Sequence, residues 1–329
     1  MRCLSIAKKA KEFGLDCIFL TADNSYYNKI LDAGIRCTVL NTDFRQLEDE
    51  IPQILEQVEI ENPDLVIVDS YYVTERYLKI LKGEVIVAYL DDVASFAYPV
   101  DMLINYNIYG PKIDYSGLYS KANIPLPEML LGPRFAPLRE EFQNVPLKET
   151  SEYVRNIFVS VGGSDLECIM MKMIEYLIEH SELTEDKKYH FLVGDFEPDK
   201  DKIFDIALKY KWIIPHCEVK EMAELMLSCD IAISAAGSTL YELCSCGIPT
   251  ITYVLEDNQV LGADAFQGKH LMKLAGDYRY ATEWMYKLFQ EMKELCDSME
   301  LREKMSRRMK KLIDGRGAEN IVRAVIKVI

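Results

Sequence analysis

The segment from residue 233 to residue 259 combines residue types that suit the binding of a nucleotide phosphate. Its pattern predicts a short buried strand, a tight turn at Gly237, a helix that opens at Ser238 and Thr239, and a second strand from Thr250. A helix that begins at a Gly-Ser-Thr turn presents unpaired N–H groups and the positive end of its dipole. We therefore predict a phosphate site here, although an ordinary strand–helix–strand unit would show the same turn.

Three polar residues near this turn are candidate ligands for the rest of a nucleotide. Glu242 lies one turn into the predicted helix, where its carboxylate could reach a ribose hydroxyl; the alternative is a plain glutamate on the helix surface. Asn258 and Gln259 follow the carboxyl end of the second strand. We predict that they meet a sugar or a β-phosphate, the alternative being a role in the loop alone.

A second glycine turn follows another apolar run in the same half of the chain. Residues 156–161 predict a strand, and Gly162, Gly163 and Ser164 come directly after it. We predict that their backbone N–H groups form the second wall of a diphosphate site. Asp165 is predicted to cap the following helix, because a carboxylate beside a phosphate would repel it.

Composition describes a globular protein and excludes several classes. The chain has 329 residues, of which 49% are hydrophobic, and a formal net charge of -15 without a basic stripe, so we predict no nucleic-acid partner. No apolar run reaches the ~18 residues of a membrane span and there is no signal peptide, so we predict no membrane partner. The nine cysteines and four histidines show no metal-ligand pattern, which favours a reducing cytoplasm and no bound metal.

Both halves of the chain alternate short apolar runs with helical patterns, which predicts parallel sheets covered by helices. Predicted strands lie at 17–21, 37–40, 65–69, 85–90, 102–105 and 129–131, then at 157–161, 190–193, 218–219, 231–234 and 250–255. An amphipathic helix is predicted from Asp43 to Glu59 with Phe44 on its apolar face, and later helices at 259–274, 282–295 and 301–312. We predict two Rossmann-like, doubly wound α/β domains (1–140 and 150–313) that face a cleft, followed by a C-terminal helix (314–329).

The beginning of the chain departs from this pattern. Residues 1–13 already predict a helix, and no strand comes before it. The first strand of a doubly wound sheet occupies a central position, so its loss would leave two unpaired edges. We therefore expect that the first domain lacks its first strand, that Met1 is an internal methionine and that the natural protein begins upstream.

Several segments together resemble the UDP-sugar hydrolases of pseudaminic acid biosynthesis, which are MurG-like proteins of the GT-B fold. The matching segments are Met-Arg2-Cys3-Leu4, Asp69-Ser-Tyr71, Leu90-Asp-Asp92, Leu131-Gly-Pro-Arg134, Val159-Ser-Val-Gly-Gly-Ser-Asp165, Ser234-Ala-Ala-Gly-Ser-Thr-Leu-Tyr-Glu-Leu243, Asp257-Asn-Gln259 and Asp314-Gly-Arg-Gly317. The resemblance covers essentially the whole chain. Each glycine turn is a weak signal by itself, and their order and number make the resemblance specific.

The resemblance implies hydrolysis of UDP-2,4-diacetamido-2,4,6-trideoxy-β-L-altropyranose to UDP and free sugar, with inversion and without a metal or another cofactor. The family's base is the His of a Gly-x-Gly-His-x-x-Arg motif, of which only Arg2 remains in this chain. We therefore expect the chain as given to be inactive or nearly so, since a general base contributes ~10²–10⁴ in rate.

Polar residues past the predicted strand ends of the first domain are further candidates. Tyr71, Asp91 and Asp92 could hold acetamido groups or orient water, with a turn-capping role for Asp92 as an even alternative, and Arg2 is a further candidate substrate ligand. A glycosyltransferase is the nearest rival, although no apolar, basic patch of the kind that binds lipid acceptors is evident in the first domain. A UDP-sugar epimerase and a nucleotide-sugar binding protein without catalysis are further alternatives. A monomer is the default state for this fold.

Overall fold

The protein divides into two compact units. The computed structural model describes residues 1–162, 165, 167–194, 197–281 and 283–329. The N-terminal unit comprises Met1–Arg139 together with Arg316–Ile329, and the C-terminal unit is Glu140–Gly315. Among the described residues, none of the helices has both the length and the apolar character that crossing a membrane requires.

The N-terminal unit is built from parallel strands and covering helices. In chain order its elements are α1 (Arg2–Glu12), β1 (Ile18–Thr21), α2 (Tyr27–Asp32), β2 (Arg36–Val39), α3 (Ile51–Glu61), β3 (Leu65–Val68), α4 (Glu75–Lys82), β4 (Ile86–Leu90), β5 (Met102–Asn105), α5 (Tyr115–Ala122) and β6 (Glu128–Leu131). The predicted strands of this half are all present within one or two residues.

These strands form two separate parallel sheets. β1 pairs with β2, and the other strands follow the order β3-β4-β5-β6. α1 reaches both sheets, because Leu4 and Ala7 pack beside Phe19 and Cys37 while Arg2 bonds a carboxylate just beyond β3. β1 is partly buried along its whole length, and in β3 the last residue, Val68, is buried.

The C-terminal unit has one continuous sheet. Its elements are β7 (Asn156–Ser160), α6 (Ile169–Glu179), β8 (Lys188–Leu192), α7 (Lys200–Lys209), β9 (Ile213–His216), α8 (Met222–Ser228), β10 (Ile231–Ala235), α9 (Thr239–Cys246), β11 (Thr250–Val254), α10 (Asp257–Gly268), β12 (Lys273–Asp277), α11 (Trp284–Asp297) and α12 (Met299–Leu312). All described strand pairs are parallel, in the order β12-β11-β10-β7-β8-β9. This is the doubly wound order of Rossmann folds, so the predicted fold class is confirmed.

Three local predictions were wrong. The strand predicted at 218–219 is instead β9, which ends at His216, and Glu218 has a left-handed backbone with φ of 49°. The helix predicted to Leu274 ends at Gly268, and a turn with His270 at φ 53° leads into β12. Phe44 lies outside any helix, since the first helical residue after it is Leu47.

The last helix, α13 (Gly317–Val325), belongs to the N-terminal unit, where it packs on α1. Its buried face includes Ile321 and Val322. A Cβ at Gly317 would stand 1.9 Å from the carbonyl oxygen of Ala136, so only glycine permits this close backbone approach.

Candidate functional site

The two glycine turns follow neighbouring strands at the point where the strand order of the C-terminal sheet reverses. β7 and β10 are hydrogen-bonded to each other, with Ser160 opposite Ser234. Gly162 lies just beyond the end of β7, and Gly237 lies just beyond the end of β10. Ligands of open α/β sheets bind at the carboxyl ends of strands at such a reversal. The topology therefore brings the two sequence-predicted turns to one edge of the sheet.

The turn at Gly237 leaves room for a ligand at the start of α9. Gly237 and Ser238 are exposed, and a Cβ built at Gly237 would meet no atom within 4 Å. The N–H groups of Ser238 and Thr239 have no hydrogen-bond partner among the described residues, because the first internal bonds run from Leu240 and Tyr241. These open amides and the helix dipole suit an anion.

The turn after β7 is described only in part. Gly162 has φ of 100°, a conformation that favours glycine, and a Cβ there would also meet open space. Gly163 and Ser164 lie outside the described residues. The described part thus provides one exposed, glycine-dependent backbone position beside the turn at Gly237.

Asp165 caps α6, as predicted. Its two carboxylate oxygens accept hydrogen bonds from the N–H groups of Ile169 and Met170, each at 2.7 Å. Burial raises the pKa of this carboxyl, and the two N–H bonds oppose that rise. Because Asp165 occupies these amides, the N-terminus of α6 offers less to an anion than that of α9.

The three polar candidates near α9 occupy different environments. Glu242 is partly buried within the first turn of α9. Asn258 is exposed in the first turn of α10, at the carboxyl end of β11. The side-chain oxygen of Gln259 accepts a hydrogen bond of 2.9 Å from the N–H of Leu255, which fixes the connection between β11 and α10.

In the N-terminal unit, Asp92 lies at the centre of a polar cluster. Its Oδ2 accepts hydrogen bonds from Arg2 Nη1 at 2.8 Å and from the Tyr71 hydroxyl at 2.7 Å. Its Oδ1 accepts a bond of 2.8 Å from Asn107 Nδ2. The structure therefore brings Arg2, Tyr71 and Asp92 together, and three donors hold the Asp92 carboxylate in one orientation.

Arg2 connects this cluster to Asp69, the first residue after β3. Its Nη2 and Nε bond the two oxygens of Asp69 at 2.6 Å and 3.0 Å, and Nη1 also bonds the Tyr106 hydroxyl at 3.2 Å. Burial lowers the pKa of Arg2, but Asp69, Tyr106 and Asp92 together outweigh it and raise that pKa above its ordinary value. This geometry favours a role for Arg2 in fixing the two carboxylates.

Asp91 points into the protein. Its oxygens accept bonds from the N–H groups of Val93 and Ala94 and from the hydroxyls of Tyr98 and Tyr115, and the residue is 1% exposed. The Asp91 carboxylate therefore accepts four hydrogen bonds and holds the loop after β4. This favours a structural role for Asp91 over direct contact with a substrate.

The chain resembles two proteins in sequence, and no family model matches it. The uncharacterized protein MJ1062 of Methanocaldococcus jannaschii is 25% identical over 273 residues, which are 79% of this chain and 52% of that protein, so this chain spans about half its length. The spore coat polysaccharide biosynthesis protein SpsG of Bacillus subtilis is 27% identical over 276 residues, 80% of this chain and 76% of SpsG.

Several solved structures align with nearly the whole length of this chain. MurG of Acinetobacter baumannii aligns with a TM-score of 0.67 over 99% of this chain and 95% of MurG, at 13% identity. MnaA of S. aureus, solved with UDP, gives a TM-score of 0.65 over 100% and 94% at 14% identity. The chain has the GT-B fold. The UDP-GlcNAc 2-epimerase of Methanocaldococcus jannaschii, solved with UDP-GlcNAc and UDP, aligns with a TM-score of 0.64 over 99% of this chain and 96% of the epimerase, at 14% identity.

Asn107 and Tyr106 of this GT-B chain were not predicted from the sequence, and no role of its own was predicted for Asp69. All three lie at carboxyl ends of strands, Asp69 after β3 and the other two after β5, next to the strand that carries Asp92. The signal was available, because parallel strands that neighbour each other place their C-terminal loops at one edge.

Proposed function

We propose that this chain binds a UDP-linked sugar and belongs to an enzyme that cleaves the bond between the anomeric carbon and the diphosphate; because the chain lacks the family's histidine base, we expect it to carry out this cleavage slowly or not at all. The observation that carries the proposal is the pair of glycine turns at the strand-order reversal, with the open amides of Ser238 and Thr239 at the start of α9. Cleavage leaves negative charge on the departing UDP, and a helix N-terminus stabilises such charge.

We assign the nucleotide to the C-terminal unit. Gly162, Gly163, Ser164, Gly237, Ser238 and Thr239 bind the diphosphate in this proposal. Glu242 accepts a hydrogen bond from a ribose hydroxyl, and Asn258 with Gln259 meets the β-phosphate or the sugar. Similarity in fold to proteins solved with UDP supports the assignment.

We assign the sugar side to the polar cluster around Asp92. The Tyr71 hydroxyl and the Asp92 carboxylate orient a sugar substituent or a water molecule, while Arg2 and Asn107 hold Asp92 in place. Asp91 holds the conformation of the loop after β4 and does not contact the substrate in this proposal. Because three donors already bond the Asp92 carboxylate, orientation is a better role for it than proton removal.

The acceptor we propose is water, and the substrate is UDP-2,4-diacetamido-2,4,6-trideoxy-β-L-altropyranose. The water oxygen bonds to the anomeric carbon with inversion, the carbon–oxygen bond to the β-phosphate breaks, UDP leaves, and a base takes the proton from water. The sequence resemblance to the hydrolases of pseudaminic acid biosynthesis supports this choice, and with it a cytoplasmic location and a monomer.

Transfer of the sugar to another molecule is the second candidate. Similarity to a spore coat polysaccharide biosynthesis protein favours it, since polysaccharides are made by sugar transfer. Titration calorimetry with UDP, followed by release of UDP from the UDP-sugar with and without added sugar acceptors, tests both. No UDP binding at millimolar concentration contradicts the whole proposal, and release only with an acceptor favours transfer.

A further inference from the structure

The end of β12 and the two residues after it contact two other loops at the carboxyl edge of the C-terminal sheet. We call residues 277–279 the β12 tail. The tail continues the pairing of β12 with β11, because Tyr278 donates its N–H to the carbonyl of Val254 at 3.0 Å. From this position the Arg279 side chain bonds the start of α10, and the Tyr278 side chain bonds α6. The tail therefore connects elements that follow β7, β11 and β12.

Arg279 is oriented by one carboxylate and bonds a second one. Its Nε and Nη2 donate to the two oxygens of Asp277 at 3.0 Å and 2.7 Å, and its backbone N–H donates to the same carboxylate at 3.0 Å. Its Nη1 donates to Asp257 Oδ1 at 2.6 Å. The Asp277 side chain is 22% exposed and that of Asp257 is 90% exposed. Asp277 thus fixes the guanidinium, and the guanidinium holds the first residue of α10.

The start of α10 depends on such contacts. Asn258 and Gln259 directly follow Asp257 in its first turn. Within the described part of the chain, the side chain of the N-cap residue Glu256 forms no capping hydrogen bond. The contact of Gln259 with Leu255 and the ion pair of Asp257 hold this turn instead. A change at Arg279 is therefore transmitted to residues that we assign to the nucleotide.

The second contact of the tail joins it to the first turn of α6. The Tyr278 hydroxyl accepts a hydrogen bond of 2.6 Å from Lys172 Nζ, which also donates to the carbonyl of Glu167 at 2.7 Å. The Tyr278 ring packs edge to face on Trp284 with centroids 5.3 Å apart, and Trp284 is buried. Tyr278 therefore fixes part of the segment that follows the turn at Gly162.

We propose that the β12 tail positions the two loops that bind the phosphates of the nucleotide, with Arg279 and Tyr278 as its positioning residues. The inference rests on the proposed function and adds these residues to its phosphate site. Arg279 acts through Asp257 on Asn258, which this inference places at the β-phosphate, and Tyr278 acts through Lys172 on the loop after β7. Loops that are already ordered lose less conformational entropy when a ligand binds, so the tail raises affinity without touching the ligand.

Calorimetry with UDP and UMP tests the role of Arg279, because UMP lacks the β-phosphate. Arg279→Met lowers UDP affinity about fivefold, the upper range for an exposed ion pair, and changes UMP affinity less than about twofold. Arg279→Lys lowers UDP affinity to a similar extent, since an ammonium lacks the fork that bonds Asp277 and Asp257 together. Tyr278→Phe removes one hydrogen bond and lowers UDP affinity about threefold. Its effect adds to that of Arg279→Met, because the two contacts hold different loops.

A double-mutant cycle separates positioning from direct contact. In the Asp257→Ala background, Arg279→Met changes UDP affinity less than about twofold, since the partner of Arg279 is already absent. An undiminished fivefold loss in that background would mean that Arg279 contacts the phosphate itself, and would overturn the positioning role. Arg307→Met is the matched control, because it removes the same charge from an exposed arginine of α12 that pairs with Glu303. It leaves both affinities unchanged.

The remaining outcomes distinguish this inference from the proposed function. Wild-type UDP affinity in Arg279→Met, with an unchanged melting temperature, overturns the role of the tail while UDP binding still supports the proposed function. Recovery of wild-type affinity in Arg279→Lys also overturns it, because a positive charge alone would then suffice. Absence of UDP binding by the wild-type chain contradicts both the inference and the proposed function.

Discussion

Arg2 binds Asp69 through two parallel hydrogen bonds and so joins the first turn of α1 to the end of β3. The two atom pairs, Nη2–Oδ1 and Nε–Oδ2, are 2.6 Å and 3.0 Å apart. Burial raises the pKa of Asp69, but the Arg2 guanidinium, together with the Cys3 thiol, outweighs it and holds that pKa below its usual range. Both side chains are partly buried, and Arg2 also bonds Asp92. One guanidinium therefore forms ion pairs with two carboxylates, in a unit whose strands form two separate sheets.

Replacing Arg2 by alanine is expected to destabilise the N-terminal unit. The change leaves the carboxylates of Asp69 and Asp92 without their cation. Removing one partner of a fully buried pair costs about 3–5 kcal/mol, and partial exposure here reduces the expected loss to about 2 kcal/mol. Urea denaturation measures it.

Arg36→Ala is the matched control, because Arg36 pairs with Asp16 and Glu61 in the same unit but is 55% exposed. We expect Arg36→Ala to lower the free energy of unfolding by less than about 1 kcal/mol. Equal losses in the two variants would show that the Arg2 contacts add nothing beyond a surface ion pair.

The sequence predicted the elements better than the contacts between them. Strand runs such as Leu65–Val68 and Ile231–Ala235 are apolar, short and bounded by polar residues, so they could be found without a structure. Phe44 was misplaced because its spacing from Leu47 and Ile51 fits a helix, whereas Asp43 turns the chain first. A local carboxylate bond outweighs a periodic pattern at the end of a helix.

The candidate site was predictable in one unit and only partly so in the other. The glycine turns carry their own signal, because few residues other than glycine adopt the backbone of Gly162. The contact of Asn107 with Asp92 joins positions 15 residues apart, in the loops that follow two neighbouring strands. Such a contact depends on strand order, which the sequence of either loop does not contain.

The stability of the C-terminal unit is expected to fall as the pH drops from about 6.5 to about 4. His190 Nδ1 and His216 Nε2 are 2.9 Å apart, and His190 Nε2 is 3.2 Å from Asn156 Oδ1. Burial, His216 and Lys188 lower the pKa of His190 to about 4 against a smaller opposite effect of Asp230, and burial lowers that of His216.

The sign follows from proton uptake. Unfolded histidines bind protons near pH 6.5, whereas the folded pair stays neutral to lower pH, so unfolding takes up protons in this window and acid favours it. The slope is at most about 1.4 kcal/mol per pH unit for each proton, less after solvent screening. Urea melts at several pH values measure it. His216→Gln should flatten the slope, while His180→Gln on the surface should not; a flat wild-type profile contradicts the prediction.

Backbone amides of the small β1–β2 sheet are expected to exchange with solvent faster than those of β7 and β10. Two-stranded sheets are marginal by themselves, and local opening requires less free energy where few buried contacts hold a strand. β1 is only partly buried, whereas all of β10 is buried. We expect the protection factors of the β1 and β2 amides to be about 10²-fold lower than those of the β7 and β10 amides, a difference of ~3 kcal/mol in opening free energy. Hydrogen exchange with mass spectrometry measures it, and equal protection would mean that α1 and α2 hold β1 and β2 as firmly as a full sheet does.

Gly237→Ala is expected to weaken UDP binding without unfolding the protein. A Cβ at this position meets no protein atom within 4 Å, so the folded chain tolerates the methyl group. The same open space is where we place the diphosphate, and the methyl group would keep its oxygens from the N–H groups of Ser238 and Thr239. Losing one or two hydrogen bonds to a charged group corresponds to about tenfold or more in affinity.

Gly268→Ala provides a matched control for this variant. Gly268 ends α10, and a Cβ there also meets open space, but the position is remote in sequence from both glycine turns. Calorimetry should give wild-type UDP affinity for Gly268→Ala and equal melting temperatures for both variants. Wild-type affinity in Gly237→Ala would remove the turn from the phosphate site, because a ligand seated on the amides of α9 cannot share that space with an added methyl group.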